Sequence, residues 1–78
     1  MKHENEVSAC VRSALSEYFR RLDGAKPSPI YEMVIRSVEK PMLEVVLDYT
    51  GGNQTKAAAV LGLNRNTLRK KMIEYGIE

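Results

Sequence analysis

The segment from Gly52 to Tyr75, GNQTKAAAVLGLNRNTLRKKMIEY, leaves this chain few folds to adopt. Asn53 is a helix starter, because its short side-chain oxygen accepts from backbone N–H groups two or three residues on. Ala57, Ala58 and Leu61 then share one helical face. Gly62 follows, where a backbone turns at positive φ without steric cost. Asn64 is a second starter, and Arg65 to Tyr75 continues at helical spacing with Leu68, Met72 and Tyr75 facing inward. Small Ala58 lets the second helix pack close, and Gly62 lets it cross steeply. Two short helices joined in this way are a helix-turn-helix.

The second of these helices carries the chemistry. At roughly 100° per residue from Arg65, the residues Leu68, Met72 and Tyr75 gather near about 300°, and Arg69, Ile73, Asn66 and Lys70 fill the arc from about 40° to about 140°. Arg65 and Thr67 flank the helix start, the end that enters a major groove first in this motif. Arginine bridges O6 and N7 of guanine, asparagine bridges adenine, and threonine, arginine and lysine hold phosphates. The run Arg69, Lys70, Lys71 would by itself be an ordinary solvated face. In register with Asn53, Ala58, Gly62, Asn64 and Arg65 it reads as a double-stranded-DNA surface.

Seventy-eight residues allow one small domain with a modest core, and chains this short often gain stability by association. The net charge of +2 is unevenly spread: residues 1–50 hold seven Lys or Arg against eight Asp or Glu, and residues 51–78 hold five against two. Positive charge thus accompanies the helix-turn-helix, as an electrostatic footprint should. The single Cys10 has no internal disulfide partner and occupies a helical apolar position, so a buried free thiol in a reducing cytoplasm is expected. No apolar run is long enough to span a membrane, and MKHENEVSACVR lacks the apolar centre of a signal peptide. These features place the chain in the cytoplasm.

Residues 1 to 6 are polar and expected to fray. From Val7 the residues Cys10, Val11, Ala14, Leu15, Tyr18, Phe19 and Leu22 form one stripe along a helix ended at Asp23-Gly24, with Gly24 in the left-handed position beyond it. AKPSP, 25–29, is a stiff connector; Ser28 or Pro29 begins the next helix, with Pro29 suited to its first turn. That helix, 30–50, is the most apolar part of the chain. Its stripe is Tyr31, Val34, Ile35, Val38, Met42, Val45, Val46 and Tyr49, and Ile30, Met33, Leu43 and Leu47 lie off it. A helix apolar on several sides suits packing on its own chain and on a second copy. Pro41 either kinks the helix or splits it at Lys40, and the unbroken phase of the stripe favours a kink. The expected fold is all-α with four helices. Residues 1–50 supply dimerisation helices, and 51–78 the helix-turn-helix.

Catalytic constellations are missing from the pattern. His3 lies in the expected frayed end and Cys10 has no second ligand pair, so neither a metal nor a cofactor is expected. Ser13, Ser16 and Ser37 have no histidine base on an ordered element. Gly51-Gly52 lacks the ending of a phosphate loop. Glu39, Glu44 and Asp48 read as solvent-side charges, Glu32 as an i+4 partner of Arg36, and Glu4 as a charge preceding Ser8. The expectation is a non-enzyme with no small-molecule substrate and no membrane contact.

The segment YTGGNQTKAAAVLGLNRNTLRKKMIEYGI, 49–77, resembles the DNA-binding end of the bacterial Fis (factor for inversion stimulation) family. The resemblance continues back through YEMVIRSVEKPMLEVVLDYT, proline included, and more loosely through VRSALSEYFRRLDG. It implies an obligate homodimer whose first two helices intertwine into a core, here through Val11, Leu15, Tyr18, Phe19, Val34, Val38, Met42 and Val45. It implies binding to degenerate sites with AT-rich centres, strong bending, and a nucleoid location. Arg65 and the adjacent Asn64 would make the base contacts, Arg65 to a guanine. Backbone contacts would come from Asn53, Thr55, Thr67, Arg69 and Lys70, with Asn66 and Lys71 added from the same helix. RNA polymerase or a recombinase would be a further partner.

Two departures bear on function. About six residues precede the first helix where longer family members carry hairpin arms, so activation of a DNA invertase is not expected. Ile73 and Glu74 stand where further lysines are common, which predicts weaker flank binding. Two rivals remain open. The same module ends many sigma-54-type activators, although no ATPase segment precedes it here. A protein-interaction adaptor would favour a neutral second helix, which Arg65, Arg69, Lys70 and Lys71 do not provide.

Overall fold

The computed structural model describes residues 5–78, and all regular structure among them is helical. The helices are α1 (Glu6–Leu22), α2 (Ile30–Tyr49), α3 (Gln54–Leu61) and α4 (Arg65–Tyr75), in agreement with the expected four-helix, all-α class. His3 and Glu4 lie outside the described residues. The compact units are Met1–Val34 and Ile35–Glu78, with the boundary inside α2.

In the first unit, α1 begins earlier than its apolar stripe. Asn5 Oδ1 accepts from Ser8 N at 2.8 Å, and Ser8 Oγ accepts from Asn5 N at 3.1 Å. This reciprocal capping box satisfies orphan donors of the first turn, so residues 5 and 6, expected to fray, form a cap and a helical start. At the other end Gly24 is left-handed as expected, with φ of 88°, and Asp23 before it caps the helix with φ of 49°. A short polar side chain tolerates that conformation. Glu17 holds both Arg20 and Arg21, one and the other from the last turn. Tyr18 Oη accepts from Ser28 N at 3.0 Å, tying the connector to α1, and hydrogen bonding from the Ser28 side chain and then its backbone lowers the phenol pKa.

No residue of α1 is buried. Val11, Leu15 and Tyr18 are half-buried, Phe19 is 49% exposed, and the ring of Phe19 meets Tyr18 edge-on at 5.6 Å between centroids. Cys10, expected inside, is exposed. The apolar stripe is real, but nothing in its own unit covers it.

Helix α2 starts after Pro29, whose carbonyl accepts from Met33 N at 3.2 Å. Pro29 is therefore the residue before the helix, not the first within it, and its missing N–H costs nothing there. The helix runs through Pro41 without a break at Lys40.

The second unit contains the core: Leu43 and Leu47 of α2, Ala57 and Ala58 of α3, and Leu68, Met72 and Tyr75 of α4, flanked by Val46, Leu61 and Ile77. Leu43 and Leu68 are fully enclosed. The face of α2 that packs here is thus the one carrying Leu43 and Leu47, off the expected stripe. Ile35, Val38, Met42, Val45 and Tyr49 on that stripe remain exposed. After α2, Thr50 Oγ1 donates to the carbonyls of Val46 and Leu47, each at 3.1 Å, and Gly52 N donates to Leu47 O at 2.8 Å. These bonds close the end of the helix and aim the chain into α3.

Candidate nucleic-acid interface

Both helices of the motif are fixed by their own capping residues. Asn53 Oδ1 accepts from Lys56 N at 3.0 Å, and Asn64 Oδ1 accepts from Asn66 N at 2.7 Å. Between them Gly62 sits at φ of 75°, and Leu63 N reaches back to Ala58 O at 2.9 Å. That six-to-one bond with a left-handed residue inside it is a Schellman ending, which only glycine adopts without strain. Helix α4 ends the same way at Gly76, with Ile77 N donating to Met72 O at 2.8 Å. Leu68, Met72 and Tyr75 seal the inner face of α4.

The outer face is open. Asn66, Arg69, Lys70 and Ile73 line one shallow groove along α4, and all four are exposed. Arg65 and Thr67 are exposed at the helix start, as are Asn64, Asn53 and Thr55 at the two caps and the start of α3. Ile73 stands 75% exposed among the cations. These eight exposed side chains with donors, on α4 and at the two helix starts, suit phosphate oxygens and base edges.

Lys71 is set apart from this surface. Its Nζ lies 2.7 Å from Glu39 Oε2, with only 29% of the side chain exposed. Glu39 also accepts from Tyr75 Oη at 2.5 Å. Glu39 is therefore not a solvent-side charge but a half-buried acceptor holding two residues of α4 to α2. Arg36, expected to pair with Glu32, instead donates to Glu74 Oε2 at 2.8 Å and stacks its guanidinium 4.9 Å from the centre of the Tyr75 ring. Hydrogen bonds from Lys71 and then Tyr75 draw the Glu39 carboxyl below its usual range. The same bond to Glu39 raises the Lys71 ammonium pKa and pushes the Tyr75 phenol up to about 12. Glu44 and Asp48 are exposed, as expected.

This latch escaped sequence reading because its partners lie 35 or more positions apart on different helices. One signal was available. At roughly 100° per residue from Arg65, Lys71 falls at about 240°, beside the inward residues and away from Arg69 and Lys70.

A capped helix pair with an inward apolar face and an outward polar and basic one defines a helix-turn-helix module of the regulatory type. The chain belongs to the Fis family: the family described as bacterial regulatory protein, Fis family, matches residues 34–75. A putative Fis-like DNA-binding protein of Neisseria meningitidis serogroup A is 51% identical over 72 residues, covering 92% of this chain and 91% of the relative. A protein of the same description from Ralstonia nicotianae is 47% identical over 73 residues, covering 94% and 95%. The DNA-binding protein Fis of Actinobacillus succinogenes is 54% identical over 67 residues, covering 86% of this chain and 68% of its own. Among the described residues no helix is long and apolar enough to cross a membrane.

Proposed function

We propose that this Fis-family protein binds duplex DNA as a homodimer, sets one α4 from each copy into a major groove, and bends the duplex between them. The observation that carries the reading is the outward face of α4, where Asn66, Arg69, Lys70 and Ile73 are exposed beside Arg65 and Thr67 while Lys71 is withdrawn. Arg65 contacts guanine, with Asn64 beside it. Thr67, Arg69, Lys70, Asn53 and Thr55 hold phosphates and fix the register.

Dimerisation is supported by apolar surface left uncovered in a single chain. Phe19, Tyr31, Val38, Met42, Val45 and Tyr49 are all exposed. Exposed large apolar side chains in this number suit an interface. The core of the dimer is built from Val11, Leu15, Tyr18, Phe19, Val34, Val38, Met42 and Val45.

Bending is part of the same reading. Two recognition helices set closer than one DNA turn, about 34 Å, cannot enter successive major grooves of a straight duplex. The central minor groove must narrow, and A·T steps tolerate this best, so an AT-rich centre is favoured through deformability. Regulation of transcription, organisation of the nucleoid and cooperation with RNA polymerase or a recombinase follow from such a role, which involves no catalysis and places the protein in the cytoplasm.

The test is a gel-shift titration on circularly permuted duplexes with an AT-rich centre. Binding with mobility that depends on site position is expected. Binding with uniform mobility would remove the bending role, and no binding at low salt would remove the whole reading.

A further inference from the structure

The part of α2 that lies in the second unit presents two different faces. At roughly 100° per residue from Val38, Met42 falls at about 40°, Tyr49 at about 20° and Val45 at about 340°, and all four are exposed. Glu39 falls at about 100°, Leu43 at about 140°, Arg36 at about 160° and Leu47 at about 180°. This second face grips α4. Leu43 and Leu47 pack in one core with Leu68, Met72 and Tyr75. Glu39 turns both carboxylate oxygens to α4, Oε2 to Lys71 Nζ at 2.7 Å and Oε1 to Tyr75 Oη at 2.5 Å. Arg36, on the same side, donates to Glu74 Oε2 at 2.8 Å and lies 4.9 Å from the centre of the Tyr75 ring. Apolar burial is non-directional and by itself lets a helix roll or slide. A carboxylate bonded to two residues four apart on one helix fixes both its rotation and its axial place.

We propose that Glu39 is a positioning residue, which sets the angle and axial place of α4 against α2 and thereby the separation of DNA half-sites that a dimer accepts. This rests on the reading above, in which Val38, Met42 and Val45 meet a second copy and α4 enters a major groove. On one stretch of one helix, the face assigned to the partner adjoins the face that grips the recognition helix. The distance between the two α4 helices of a dimer is then set by α2 and not by the duplex. A gripped α4 also loses less freedom on binding, which favours affinity without any added contact. Glu39 and Lys71 perform this work without touching DNA.

Competition binding tests this with duplexes whose two guanine-edged half-sites are moved apart or together by one base pair, a shift of about 3.4 Å and a turn of roughly 35°. Wild type is expected to prefer one separation by about tenfold. Tyr75→Phe removes one of the two bonds to Glu39, and Glu39→Ala removes both. Each should narrow the preference to about threefold or less and weaken binding at the favoured separation by about two- to tenfold. The salt slope should not change, because the bound helix still makes the same phosphate contacts. Circular dichroism and sedimentation equilibrium check fold and dimer beforehand, and Tyr75→Phe carries the test alone if Glu39→Ala does not fold. A merely structural loss would lower the active fraction equally on all three duplexes. Such an equal loss, or a wild-type preference kept in every folded variant, would overturn the inference and leave DNA binding intact. Wild type that binds all separations alike would overturn it as well. Failure of the wild type to bind any duplex would remove the inference together with the reading beneath it.

Discussion

Arg65 and Lys70 occupy the same open face but are assigned different work. Arg65→Ala should cost about 1–3 kcal/mol and flatten the preference at the outer guanine, as measured by competition between guanine-containing and substituted duplexes. Ile73 offers the converse change. It is 75% exposed on that face and contributes no charge, so Ile73→Lys should tighten binding to all sequences and steepen the logarithmic salt dependence by about one unit. Tyr75 reports on the inner side. Its phenol is pushed up to about 12 by the bond to Glu39, so the folded state favours the neutral ring. The stabilisation is complete below the ordinary tyrosine pKa and is lost as pH rises through about 12. Ultraviolet titration should show one late-titrating tyrosine, absent in Tyr75→Phe.

Helix α4 is held to the rest of its unit by Leu68 and by the bonds that Glu39 accepts. Leu68→Ala empties a fully enclosed site and should cost about 3 kcal/mol in urea denaturation at fixed protein concentration. Glu39→Gln keeps the shape but removes the charge facing Lys71, a loss of about 1 kcal/mol. Because the folded carboxyl is lowered, its contribution is present above the ordinary carboxylate range and lost as pH falls through it. The acid limb of the stability curve should therefore be shallower in Glu39→Gln than in wild type. How much of this was legible in the sequence depends on locality. Asn53, Gly62 and Asn64 declare themselves because a cap acts within a few residues of its own position. The face of α2 that packs on α3 and α4 does not, because that helix is apolar on several sides. Only the arrival of Ala57, Ala58 and Leu68 selects Leu43 and Leu47 over Val38 and Met42. Cys10 lies on an apolar stripe that the sequence displays, but nothing in its own unit buries it.

At the scale of the whole molecule, exposed apolar side chains accompany an exposed basic helix face. Val38 is exposed in the single chain and does not belong to the α3–α4 core, so Val38→Asp should disrupt association first. Sedimentation equilibrium should show a loss of dimer, and unchanged dimer strength would contradict the proposed interface. The most direct test of the central claim compares the salt dependence of duplex binding for wild type, Lys70→Ala and Lys71→Ala by fluorescence anisotropy. These neighbouring lysines differ in what they face: Lys70 lines the open groove, and Lys71 is bonded to Glu39. If the outward face of α4 is the DNA surface, Lys70→Ala lowers the salt slope by about one unit and Lys71→Ala leaves it unchanged. Equal slopes for wild type and Lys70→Ala, or a full unit lost with Lys71→Ala, would contradict it.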